Sequence, residues 1–174
     1  MNRSLGLSQL LGFAVTVLGG TLLHFLYDLL GEAAWIAPFA AVNESTFEHM
    51  KLLLWPMLLY AAVQSLLFPC RTDLWCVKLR GILLGLALIP VLFYTYNGAV
   101  GPSPAWLNIA IFFLSAAIAY LSETRQLRRG ETCCRHPQLS FFLLLAVALA
   151  FVLLTFRAPR LGLFRDPISG AYGI

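Results

Sequence analysis

Between Asn43 and Lys51 the chain places Glu44, Glu48, His49 and Lys51 within one helical turn and its approach, and Asn43 and Ser45 open the run. Two carboxylates, an imidazole and an ammonium set this close can bind a cation, relay a proton or assist hydrolysis. The apolar stretch Leu52–Phe68 follows at once and is long enough to enter a bilayer. Charged groups at the head of a membrane helix are costly unless paired or liganded, which marks them as functional candidates. Upstream, His24 and Asp28 lie one helical turn apart. Two histidines and a carboxylate form the donor set of catalytic zinc sites that leave one position for water. In that reading His24, His49 and either Asp28 or Glu48 hold a divalent metal, with zinc the best match to the donors. The remaining carboxylate, Glu48 or Glu44, acts as general base, and Tyr94 or Asn97 stabilises an oxyanion. Asn43, Ser45, Lys51, Asn108 and Asp166 complete the expected site, whose substrate would be a lipid or peptide bond at the outer leaflet.

Part of this pattern has a plainer explanation. Ser45-x-x-Glu48 matches a capping box, in which the two side chains satisfy free amides at a helix start. Glu44 next to a helix N-terminus complements the helix dipole. A different function also uses the same residues: acids and a histidine at membrane depth serve proton relays, ion channels and transporters, with Tyr60, Gln64, Ser115 and Ser122 continuing a polar route inward. A small transporter of this size implies a homodimer. A third reading makes the cluster a polar staple in a structural or partner subunit, and a fourth has His24 and His49 bind haem. Phosphate-binding Gly-x-x-x-x-Gly-Lys and nucleophilic Gly-x-Ser-x-Gly motifs are absent.

The elements that must position these residues are membrane helices. The 174 residues are 60% hydrophobic and 11% charged, with a mean hydropathy of +0.81, too apolar for a soluble domain. Five runs reach or approach spanning length: about 7–30, 50–68, 74–96, 104–121 and 139–156. The expected fold is an all-α, polytopic bundle of five transmembrane helices over 1–156, with a tail over 157–174 placed to act as a lid. The runs do not alternate as strands of a barrel would. The apolar start is too long for a secretory signal and holds His24 and Asp28. The net charge of +4 comes from short loops and is no nucleic-acid signature. Arg3, then Arg71, Lys78 and Arg80, then Arg125, Arg128, Arg129 and Arg135 place the N-terminus and the even loops in the cytoplasm, and hence the C-terminus outside; Arg157, Arg160 and Arg165 of the tail argue mildly the other way and are outweighed by the inner-loop basic residues.

Within the first span Ser8, Gly12, Thr16, Gly20, His24 and Asp28 recur every four residues, a stripe suited to close helix contact. Trp35–Val42 is too short to cross and reads as an interfacial or re-entrant segment broken by Pro38. Pro56 and Pro90 should kink the second and third spans. Asn108, Ser115 and Ser122 form a polar seam on the fourth, while Glu123 with its neighbouring arginines reads as a solvated inner loop. The fifth reads as a lipid-facing support. Cys70, Cys76, Cys133 and Cys134 fall on the cytoplasmic side and are expected to be free thiols. Their spacing with His136 does not match a zinc knuckle.

Three separated motifs, His24-Phe25-Leu26-Tyr27, Val42-Asn43-Glu44-Ser45-x-x-Glu48-His49-x-Lys51 and the ending Asp166-Pro167-x-x-Gly170-x-Tyr172-Gly173, resemble a family of small bacterial five-helix membrane proteins of unknown function. That family pattern has a proline where Ala41 stands. The resemblance implies an integral protein of the bacterial cytoplasmic membrane and carries no activity with it.

Overall fold

The computed structural model describes residues 3–129 and 134–174; the side chain of Arg3 and all of Cys133 lie outside what is described. Five helices follow in order: α1 (Arg3–Leu29), α2 (Thr46–Leu67), α3 (Leu74–Ala99), α4 (Ala105–Arg129) and α5 (Pro137–Phe156). Each is long and apolar enough to cross a membrane. Among the described residues there is no strand, only an isolated bridge between Arg165 and Tyr172. Pro56 and Pro90 lie inside α2 and α3.

Lipid tails compete with apolar side chains on equal terms, so the helices are held by close contact and buried polar bonds. The four-residue stripe of α1 supplies both. A Cβ on Gly12 would lie 2.6 Å from the Tyr60 ring and 2.7 Å from that of Tyr120. The hydroxyls flanking it bond to the same tyrosines, Ser8 to Tyr60 at 3.0 Å and Thr16 to Tyr120 at 2.9 Å. Glycine thus admits the rings, and the hydroxyls satisfy them. A Cβ on Gly20 would meet the Leu52 carbonyl oxygen at 2.7 Å. α1 therefore reaches the backbone of α2 one turn below His24.

Two sequence expectations are corrected. Glu123 is not in a solvated loop. It is fully buried in α4 and pairs with the equally buried Lys78 of α3 at 2.6 Å. Gly81 makes the room, since a Cβ there would overlap the carboxylate. This pair explains why α4 continues to Arg129, eight residues beyond the apolar run. The four cysteines are not all free: Cys76 and Cys134 form a disulfide with their Cα atoms 5.9 Å apart, while Cys70 is free and exposed. The two thiols are carried together because the start of α3 packs beside the start of α5, where the Ser140 hydroxyl meets the Cys76 sulfur at 3.2 Å.

The segment between α1 and α2 turns back against the bundle. Ala37 and Ala40 are fully buried and Trp35 is exposed. Lys51 donates to the Ala37 carbonyl at 2.7 Å and Trp55 to the Pro38 carbonyl at 2.8 Å. Ala41 donates its amide to the Leu23 carbonyl at 3.3 Å, a bond that proline could not make. It ties the segment to α1 beside His24.

After α5, a short 3-10 turn (Gly162–Phe164) buries Phe164 against Phe47, with ring centroids 4.5 Å apart. Asp166 then caps its own turn through the Ile168 and Ser169 amides and the Ser169 hydroxyl. Gly170 and Gly173 have φ of +74° and +66°, a region glycine enters without strain. That requirement accounts for both glycines of the C-terminal motif.

Candidate metal centre at the end of the bundle

His24 lies five residues from the end of α1, and His49 is the fourth residue of α2. At 1.5 Å per residue, both are roughly 5–8 Å inside their helix ends. The Gly20–Leu52 approach sets their rings 5.4 Å apart and nearly perpendicular. Glu44, on the loop before α2, reaches between them. Its two oxygens lie 3.8 Å from His24 Nε2 and 3.5 Å from His49 Nε2. One donor atom from each of the three residues falls within 4.8 Å of the other two.

The tautomer of His49 follows from its partner. Nδ1 is 2.9 Å from the Ser45 carbonyl oxygen, which can only accept, so Nδ1 carries the hydrogen. In the neutral ring Nε2 then holds a lone pair that faces the Glu44 carboxylate. Two electron-rich groups so placed need a cation or a proton between them. The separations are long for a direct N–H···O bond. They approach the roughly 3.4 Å between donors of a tetrahedral ion bound at 2.0–2.1 Å, while the three donor atoms together spread over up to 4.8 Å, so the site would have to tighten around an ion. The Ser45 carbonyl plays the part of the outer-shell acceptor that orients metal-binding histidines.

The loop carrying Glu44 is fixed on both sides. Ser45 caps α2 by accepting from the Glu48 amide at 3.4 Å. The return arm of the expected capping box is replaced: Asn43, not Glu48, accepts from the Ser45 amide, at 2.9 Å. On the other side, Asn43 donates to the Gly173 carbonyl at 3.1 Å, and the Glu44 amide donates to the Asp166 carboxylate. Burial pushes the Asp166 carboxyl up, but the Ser169 hydroxyl and the Ile168, Ser169 and Glu44 amides more than offset this and hold it below the usual aspartate range. The C-terminal motif therefore grips the loop motif.

Not all expected site residues join this trio. Asp28 is exposed and outside it. Glu48 is buried and turned the other way, accepting from Lys51 at 2.5 Å and from the Val42 amide at 2.9 Å. Lys51 is fully buried and spends its remaining donors on Ala37 and Thr155. Both residues form a clamp between the α1–α2 connecting segment, α2 and α5, so α5 is more than a lipid-facing support. Asn97 organises the turn into α4: it accepts from the Ser103 amide at 2.9 Å, and the Ser103 hydroxyl donates to Asn108 at 2.7 Å. Tyr94 accepts from the Thr46 hydroxyl at 3.5 Å.

Two cavities flank the trio and share Glu44, His49, Asn108 and Phe112 in their walls. One, of about 240 Å³, is closed by Thr46, Phe93, Ser103 and the tail residues Pro167 and Ile168. The other, of about 220 Å³, lies between α1 and α4 and is lined by Gly20, Thr21, Phe25, Ile109 and Phe113. Thr21, Thr46, Ser103 and Phe112 were not singled out from the sequence. Ser103 had a signal, as a polar residue in a Pro-Ser-Pro turn five residues before Asn108; Phe112 had none.

Fold and site together define a five-helix membrane protein with a His/Glu/His group at one end of the bundle. No curated protein and no solved structure matches the chain. Residues 6–174 match the family described as "Family of unknown function (DUF6512)", and the chain belongs to it.

Proposed function

We propose that this protein binds a divalent metal ion, zinc by donor type, through His24, Glu44 and His49, and uses it as a membrane-embedded hydrolase. The carrying observation is that a carboxylate lies between two Nε2 atoms at near-coordination spacing, with one imidazole pre-oriented through Ser45. Three protein donors leave a fourth position for water, and a bound metal would supply an activated water and polarise an acyl or phosphoryl oxygen. Glu44 serves here as a ligand, where the residue pattern gave it to acid–base work. Asn108 reaches both cavities and is the group placed to donate to a developing oxyanion. Tyr94 and Asn97 support the wall behind it. The site faces the exterior of a bacterial cytoplasmic membrane, with the N-terminus inside, and the bends expected at Pro56 and Pro90 belong to this arrangement. The segment 157–174 acts as a brace that holds Glu44 in place.

Metal content of the purified protein tests this. Wild type should carry one zinc per chain. Outer-shell changes lower metal affinity about 10–100-fold, so His24→Ala, His49→Ala or Glu44→Gln should each lower it at least that far. Asp28→Asn should leave it unchanged. Protein purified without chelator that holds no stoichiometric metal sinks the proposal.

One observation favours a transport reading instead. The buried Lys78–Glu123 pair leaves one Glu123 oxygen without a partner, and the buried Gln64 carbonyl and Ser115 hydroxyl are in the same condition. Polar atoms of this kind at membrane depth suit a proton or cation path, which a homodimer would house. Metal-dependent proton flux in proteoliposomes, abolished by Glu123→Gln, would decide for it.

A further inference from the structure

We infer that the crevice between α1 and α4 holds an acyl chain of a bilayer glycerolipid, with the lipid's ester and phosphate linkages lying against His24, Glu44 and His49. This rests on the metal-site reading for its chemistry and on independent geometry for the chain. Three observations carry it. First, His24 and His49 lie roughly 5–8 Å inside the ends of α1 and α2, with Glu44 on the loop between them. A spanning helix reaches past the hydrocarbon into the headgroup layer, so this depth is where glycerol esters meet acyl chains. Second, the cavity between α1 and α4 runs from the trio to the outside of the bundle. Its rim residues Phe25 and Ile109 are 62% and 59% exposed, and Phe113 is 39% exposed. These residues lie in apolar spans, so the medium they meet is hydrocarbon.

Third, the two cavities differ in chemistry. Away from the trio and Asn108, the α1–α4 crevice is walled by Phe25, Ile109 and Phe113, with Phe112 shared, which suits a methylene chain. The tail-side cavity is also largely apolar, with Ile89, Phe93, Ile111, Pro167 and Ile168, but it adds the Thr46 and Ser103 hydroxyls to the shared Asn108, which offers a headgroup hydrogen-bond partners. Glu44 and His49 line both cavities, and His24 lines the α1–α4 side alone. A ligand with an apolar chain on one side and a polar head on the other matches that order, and a soluble peptide does not.

The test uses the full chain in nanodiscs containing phosphatidylglycerol with a diazirine in the acyl chain near its ester. After irradiation, labels should fall on the segments holding Thr21, Phe25, Ile109 and Phe113, several-fold above equally exposed positions of α5 such as Leu149. Thr21→Trp with Ile109→Trp fills the crevice from exposed positions. It should reduce that labelling to the α5 level without changing zinc content. Even labelling around the bundle, or labelling that survives both tryptophans, overturns the inference. A diazirine free fatty acid run in parallel identifies the source of the chain, and crevice labelling by it alone overturns the assignment to a glycerolipid. Crevice labelling of a protein that holds no zinc upholds the lipid site and overturns the metal reading alone.

Discussion

At the scale of residues, Lys51, Lys78, Glu44, Glu48 and Glu123 divide by what surrounds them. Glu44 is 43% exposed and faces imidazoles, so it is free to bind a cation. Glu48 and Glu123 are buried on lysines. A buried ion pair adds little to stability when intact, but removing one partner leaves a bare charge and costs about 3–5 kcal/mol. Lys51→Met should therefore destabilise the protein by that order, read as thermal unfolding in detergent. Combining it with Glu48→Gln should recover much of the loss, since no unpaired charge then remains. If Lys51→Met unfolds like wild type, the clamp does not hold the segment between α1 and α2. The sequence showed that Glu44, Glu48, His49 and Lys51 were special but not how they divide. Glu44 precedes the helix, where helical periodicity gives no direction, and its position depends on Asp166, more than a hundred residues away.

Among elements, the spans themselves were readable, because an apolar run of spanning length in this composition has few other folds. Their ends were less so. α4 outruns its apolar stretch because Lys78 offers Glu123 a partner, and no local pattern announces a contact between residues 45 positions apart. The tail was readable as turns through Asp166-Pro167 and the two glycines, while its grip on Asn43 and Glu44 was not. That grip gives a pH prediction. Asp166 has its carboxyl held below the ordinary aspartate range by the docked geometry. A group depressed in the folded state contributes its stabilisation fully above the unfolded value and loses it as pH falls through the folded one. The tail should therefore stay docked at neutral pH and loosen only on acidification below the ordinary aspartate range. Hydrogen exchange at the Glu44 and Ser169 amides reports this. Asp166→Asn should raise exchange at both amides already at neutral pH, and should weaken zinc binding through Glu44. Protection that is unchanged in that variant would remove the brace from the account.

For the molecule as a whole, the two ends of the bundle are chemically unlike. One end carries the trio and the tail. The other carries Arg71, Arg80, Arg125, Arg128 and Arg129, with the Cys76–Cys134 bond between α3 and the approach to α5. The proposed orientation follows the rule that excess lysine and arginine in short loops stays in the cytoplasm, which would put the trio outside. The disulfide pulls the other way, because cytoplasmic thiols are kept reduced. The charge bias is the stronger guide, being fixed by several residues during insertion, whereas one disulfide can form after the cell is opened. A membrane-impermeant maleimide applied to intact cells should then leave Cys70, Cys76 and Cys134 unlabelled, while a cysteine introduced at the exposed Ile168 of the tail is labelled. A permeant maleimide should find Cys76 and Cys134 as thiols in cells, with the bond appearing in protein purified without reductant. Labelling of Cys70 from outside, with Cys76 and Cys134 already joined in cells, would reverse the orientation and turn the His24, Glu44 and His49 site toward the cytoplasm.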